Sequence, residues 1–249
     1  MSPKTSARLN LQGSPGAPAP DLPPGQSPPR EGGTGRSLRT ASLAAGSGLL
    51  GVIVLSVFSI VVLGGLGTPG DVPRATQALA ASGDLFRWGV LSLFLVAVLD
   101  VIVAAALREL FAPVNRTVST LAAWFRTAYA AVFLVAISQL VGALPLSGDA
   151  GQVAERIRAF DDIWHAGLLL FGVHLMLIGY LTYRSAFAPR IIGILLVVAG
   201  LGYLTDSFGV VLIPDYPVSI AQFTFAGETA LMCWLLIKGR RVSVRSSAA

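Results

Sequence analysis

The sequence predicts an all-α, polytopic transmembrane helical bundle of six spans, with both termini cytoplasmic and a disordered N-terminal tail. Three observations carry the prediction. Hydrophobic residues make up 54% of the 249-residue chain and charged residues only 12%, roughly half the charged share of a soluble domain. The apolar residues fall in runs of about 20, the length a helix needs to cross a bilayer. Residues Phe171 to Gly209 hold two such runs joined only by Ser185-Ala186-Phe187-Ala188-Pro189-Arg190, a link too short to be anything but the turn of a helical hairpin in lipid.

Residues 1–40 form a separate regime. Eight of the 15 prolines lie before residue 39, with Gly and Ser and few large apolar side chains. Such a segment buries too little surface to offset its ordering entropy, so disorder is expected. A signal peptide does not fit, because the first apolar run starts near Ala41, lasts about 25 residues and is followed by no small-residue cleavage site.

The expected six-span domain covers 41–239, with spans at about 44–67, 88–107, 124–144, 164–183, 190–210 and 218–237. Span 1 carries Gly46, Gly48, Gly51, Gly64 and Gly65, small residues that let helices approach closely in lipid. Thr68 to Asp84 reads as a polar loop. Arg87 and Trp88 mark an interface. Arg126, near the start of span 3, reads as free to snorkel toward the headgroups. Val153, Ile157 and Phe160 recur at helical spacing, predicting a short amphipathic helix over Gln152–Phe160. The basic tail, 240–249, closes the chain.

Charge gives the orientation. Counting both tails and the loops after spans 2 and 4, 14 of the 18 Lys and Arg residues fall on one side, and Arg74, Arg87, Arg156 and Arg158 on the other. The positive-inside rule makes the first side cytoplasmic, and an even number of spans agrees with two cytoplasmic termini. The same distribution accounts for the net charge of +5 without nucleic acid. The expected location is the bacterial cytoplasmic (inner) membrane. The expected partners are the lipid bilayer and, for the KGRRVSVR tail, anionic lipid headgroups on the cytoplasmic face. Oligomeric state is not encoded in any visible pattern.

Some residues carry a resemblance. They are Asp100 with the Ala-rich helix after it, Ala112-Pro113-Val114-Asn115, Phe125-Arg126, Gly172 through Arg184, and Pro189-Arg190 with Gly193. Gly200 through Leu204, Gly227-Glu228, and Trp234-Leu235-Leu236 with Gly239 complete the set. With these, the chain from span 1 to span 6 resembles the bacterial integral membrane family catalogued as domain of unknown function 4386. The resemblance implies a multi-span membrane protein and supplies no catalytic residue, cofactor or substrate.

Ionisable groups in mid-membrane are costly and mark functional sites by default. Asp100, His174 and Glu228 sit near the middles of spans 2, 4 and 6, three spans that run in the same direction, so the three side chains can meet at one depth. Tyr203 and Asp206, three residues apart on span 5, are secondary candidates, as are Asn115 and Arg116 on an inner loop, where capping competes with headgroup binding. Thr224 and Glu228 form an i,i+4 pair. Asp162 and His165 read as a solvated local pair. Cys233 is the only cysteine and reads as a small buried hydrophobe. No close ligand pair, nucleophile elbow or phosphate loop is present, so no metal, cofactor or catalytic residue is expected, and the balance leans away from an enzyme. The readings left open are a small-ligand or proton/ion-coupled binding or transport bundle, a structural or accessory scaffold in which the polar groups pin helices, and a lipid-interface enzyme.

Overall fold

The computed structural model describes residues 32–64, 71–213 and 226–239, all within one unit, Gly32–Ala249. Among the described residues the protein is all-helical. Its α-helices are α1 (Gly32–Val62), α2 (Asp71–Ala81), α3 (Gly83–Phe111), α4 (Arg116–Ala143), α5 (Ala150–Arg184), α6 (Arg190–Leu212) and α7 (Ala226–Lys238), with one 3-10 turn at Leu144–Leu146. Five of them, α1, α3, α4, α5 and α6, are long and apolar enough to cross a membrane. The sixth expected span is described only as α7; its residues 218–225, with Thr224, lie outside the described residues, as does the tail at 1–31.

The long helices close a ring. α1 packs on α3 and α7, α3 on α4, α4 on α5, α5 on α6, and α6 on α7. The outward faces are apolar: Val54, Val61, Val98, Trp124, Ile194 and Val211 are all exposed. In water this surface would be a large aggregation-prone patch, whereas in a bilayer it meets lipid. Cys233 belongs to this face, since it is exposed rather than buried.

Several elements differ from the sequence reading. Helix α1 begins at Gly32, so the last part of the segment read as tail is helical. The stretch read as a polar loop contains α2, whose Asp71, Ala75 and Leu79 are buried at four-residue spacing against α3 and α5. Pro73 is tolerated there because it sits in the first turn. The amphipathic segment is the first part of α5, not a separate helix, with Val153, Ile157 and Phe160 buried. Asp149 caps it, its carboxylate accepting from the Gly151 and Gln152 backbone N–H groups at 3.1 Å each.

Close packing fixes the α5–α6 hairpin. Gly172 and Gly179 on α5 face Gly200 and Gly193 on α6, each pair seven residues apart and in antiparallel register. A Cβ on Gly200 would come within 2.6 Å of the Gly172 carbonyl oxygen, and one on Gly193 within 2.7 Å of the Gly179 carbonyl oxygen. Only glycine lets the two backbones approach this closely. The turns at one end also meet. The Phe111 and Phe187 rings lie 5.5 Å apart, and the Trp234 indole N–H donates to the Phe187 carbonyl at 3.2 Å. These contacts join the α3–α4 turn, the α5–α6 turn and α7.

Candidate functional site

The ring of helices has a charged centre. Arg126 of α4 is 1% exposed and is the only buried arginine among the described residues. Its Nε and Nη2 both donate to Asp100 Oδ1 of α3, at 3.0 and 2.6 Å. Its Nη1 lies 3.3 Å from His174 Nε2 of α5 and 3.5 Å from Glu228 Oε1 of α7. The guanidinium also stands over the Phe171 ring, 5.3 Å from its centre. Four helices therefore contribute to one cluster, and a fifth, α6, reaches its edge through Tyr203, whose ring meets Phe171 edge-on at 5.5 Å.

The four groups share one depth for a simple reason. Arg126, His174 and Glu228 each lie ten residues from the helix end at Arg116, Arg184 or Lys238, and Asp100 lies eleven from Phe111. At the α-helical rise that is about 15 Å in each case. The helix ends are levelled by the packed turns described above.

Hydrogen bonding fixes the state of the histidine. The Ala122 carbonyl, 2.8 Å from Nδ1, can only accept, and a guanidinium can only donate. His174 is therefore the neutral tautomer with its proton on Nδ1 and its Nε2 lone pair facing Arg126. The cluster then holds one guanidinium, two carboxyl groups and no charge on the imidazole. The carboxyls are gripped unequally. Asp100 takes two short bonds and its side chain is 3% exposed; Glu228 makes one long contact and its side chain is 13% exposed.

The sequence-predicted residues divide accordingly. Asp100, His174 and Glu228 lie around Arg126. Arg126 itself, read as a snorkelling residue, is instead the hub. Helix α4 starts at Arg116 rather than near Trp124, because the weakly apolar first turns Arg116–Ala123 are helical too. That places Arg126 almost three turns inside the helix, too deep to reach the headgroups. The Phe125-Arg126 pair in the family pattern was the available signal.

Tyr203 is at the edge of the cluster, and Asp206 is buried one turn further along α6. Asn115 is the N-cap of α4, its side-chain oxygen accepting from the Val118 N–H at 3.0 Å, and Arg116 is exposed. His165 bonds through Nδ1 to the Asp161 carbonyl at 2.7 Å, not to Asp162, since a residue four positions back presents its carbonyl to that ring. Among the described residues no three His, Cys, Asp or Glu side chains are grouped to hold a metal ion.

Residues 44–239 match the model of a family described as a domain of unknown function, DUF4386. The chain belongs to this family. The matched region contains all four residues of the cluster, helices α2 to α7, and α1 from Ala44 onward. An Archaeoglobus fulgidus protein described as uncharacterized is 35% identical over 156 residues, which span 63% of this chain and 86% of the relative. No solved structure matches the chain. This DUF4386 member is thus a multi-pass membrane protein with a buried Asp–Arg–His–Glu cluster.

Proposed function

We propose that the bundle is a proton-coupled binding or transport protein whose working site is the cluster of Asp100, Arg126, His174 and Glu228. It resides in the cytoplasmic membrane with both termini inside. The observation that carries the reading is the unequal grip on Arg126. With both carboxyls ionised the cluster has one surplus negative charge in an apolar surround, which is strongly unfavourable. One proton removes it. Asp100 is committed by two short charge-assisted bonds, so the exchangeable proton belongs on Glu228, the more exposed and loosely held partner. A group that gains and loses a proton beside a fixed guanidinium is the elementary part of a coupled carrier. The excess of Lys and Arg in the tails and the loops after α3 and α5 supports the orientation, and the exposed Arg116 and the basic tail are suited to anionic headgroups.

The test is infrared titration of the full-length protein in lipid nanodiscs, wild type against Glu228→Gln. The reading expects a protonated-carboxyl band that responds reversibly to bulk pH and is missing from the variant. A cluster that only pins helices is sealed. The proposal fails if no such band changes at any pH at which the protein stays folded.

A further inference from the structure

We infer that α2 is a strap latched to α5 by one proton shared between the Asp71 and Asp161 carboxyls. Its hinge is Ser82, and its Asp71 end is released from α5 as the pH rises. The inference stands apart from the reading of Glu228, since the strap shares no residue with the buried cluster.

The build of α2 leads there. Ala75 and Leu79 form an apolar stripe buried against α3 and α5, and Asp71 is buried on the same face one turn earlier. The other end of α2 runs into α3 through Ser82 alone, an extended residue between two helices. The Ser82 hydroxyl caps α3, accepting from the Leu85 N–H at 3.3 Å. A side chain at the adjoining Gly83 would meet nothing within 4 Å, so the hinge has room to turn. Asp71 is thus the far end of a short lever, and its partner decides whether the lever lies against α5.

That partner is Asp161, joined to Asp71 by a side-chain hydrogen bond. Two carboxylates have no donor between them, so one of the pair carries a proton. It is Asp161. Its Oδ1 is buried with no hydrogen-bond partner among the described residues, and ionisation there would leave a charge unmet. The Asp161 O–H therefore donates to Asp71. Asp161 lies about 35 Å from the Arg184 end of α5 at the helical rise. A hydrocarbon core is about 30 Å thick, so the proton exchanges with water. Burial, then the charge and hydrogen bond of Asp71, then the charge of Asp162, push the Asp161 carboxyl up to about 8.

The charges that act on Asp161, those of Asp71 and Asp162, are both negative. Arg74 on α2 and Arg158 on α5 are exposed, and His165 bonds the Asp161 backbone carbonyl rather than its carboxyl. At this end α3 carries Asp84 and Arg87, which pair with each other at 2.8 Å. Helix α4 has no charged side chain after Arg126, and Asp206 of α6 acts on Tyr203. Gly64, against the Arg74 and Ala75 backbone, adds no ionisable group. Once the shared proton leaves, two like charges face each other without a counterion. With α2 released, Asp161 returns toward its ordinary 3.8. The latch is therefore complete below that value, weakens as the pH rises from there and is fully lost at about 8.

The experiment is pH-stepped hydrogen exchange of the full-length protein in nanodiscs of neutral lipid. The readout is the protection of α2 relative to α4, corrected for the chemical exchange rate at each pH. In wild type it is expected to fall by up to about tenfold per pH unit, the limit for loss of one linked proton, and to level off at the Asp161 value. In Asp161→Asn the side-chain amide donates to Asp71 at every pH, so protection should stay high and flat. Asp162→Asn keeps the latch but removes a repelling charge, and the levelling-off should move to lower pH. The inference is overturned if α2 in wild type follows α4 at every pH, or if Asp161→Asn keeps the wild-type dependence. Should Asp161→Asn fail to fold, Asp162→Asn decides, and an unmoved profile overturns the inference.

Discussion

Arg126 and Asp100 are joined through a single oxygen: both Nε and Nη2 of the guanidinium converge on Oδ1, at 3.0 and 2.6 Å, in side chains 1% and 3% exposed. The pair links α3 to α4 at the centre of the ring. It also holds the guanidinium in the plane that presents Nη1 to His174 and Glu228. Structure and proposed chemistry therefore depend on the same two bonds.

Removing one partner should be costly. Asp100→Asn keeps the volume but withdraws the charge that balances Arg126, and breaking a buried pair in this way costs about 3–5 kcal/mol. Thermal unfolding in nanodiscs should show a large loss for Asp100→Asn and for Arg126→Gln. The double variant should recover a substantial part of it, because the one ionisable carboxyl left in the cluster, Glu228, is neutralised by a single proton.

His174 makes a donor and an acceptor contact, and the two are separable. His174→Asn can still present an N–H toward the Ala122 carbonyl, whereas His174→Leu leaves both that carbonyl and Arg126 Nη1 without the imidazole. Each unmet buried group costs about 1–3 kcal/mol. The leucine variant should be clearly the less stable in the same unfolding measurement, and equal stabilities would contradict the assigned tautomer.

The glycine contacts of the α5–α6 hairpin predict a backbone effect with no charge involved. In Gly200→Ala the new Cβ would sit 2.6 Å from the Gly172 carbonyl oxygen, so the helices must separate. A destabilisation of about 1–3 kcal/mol is expected for this overpacking. Gly83→Ala meets nothing within 4 Å and serves as the control.

One pH effect lies outside the membrane. The Gln152 backbone and side-chain bonds, then that of the Gly151 N–H, hold the Asp149 carboxyl below its ordinary value of 3.8. The folded state thus favours the ionised cap. Its contribution is present above the unfolded value and is lost as pH falls through the lower, folded one. Hydrogen exchange of the first turn of α5 should accelerate over that acidic window. In Asp149→Asn, which keeps the cap without the charge, the acceleration should be absent.

Much of the architecture was legible before any coordinates. Runs of about 20 apolar residues and sparse charge announce spans by length alone, and the Pro189-Arg190 turn announces the hairpin. The resemblance to the DUF4386 family rested on polar and glycine positions that apolar composition would not supply, and the family match bears it out. What misled was hydropathy at helix ends. A helix continues past its most apolar stretch wherever backbone hydrogen bonds and a cap sustain it. This is how Asn115 starts α4 well before Trp124, and how α5 absorbs the amphipathic segment. The error at α4 moved Arg126 from the interior to the interface on paper.

The sequence by itself determined the class of object: a lipid-embedded helical bundle with costly polar groups set within its apolar helices. Only the tertiary structure decided what those groups do to one another. Helical periodicity sets depth and face within a helix, but which helices are neighbours depends on close packing, here the glycine contacts of α5 with α6 and the ring closure of α7 on α1. That packing turned four isolated ionisable residues into one cluster with an arginine at its centre.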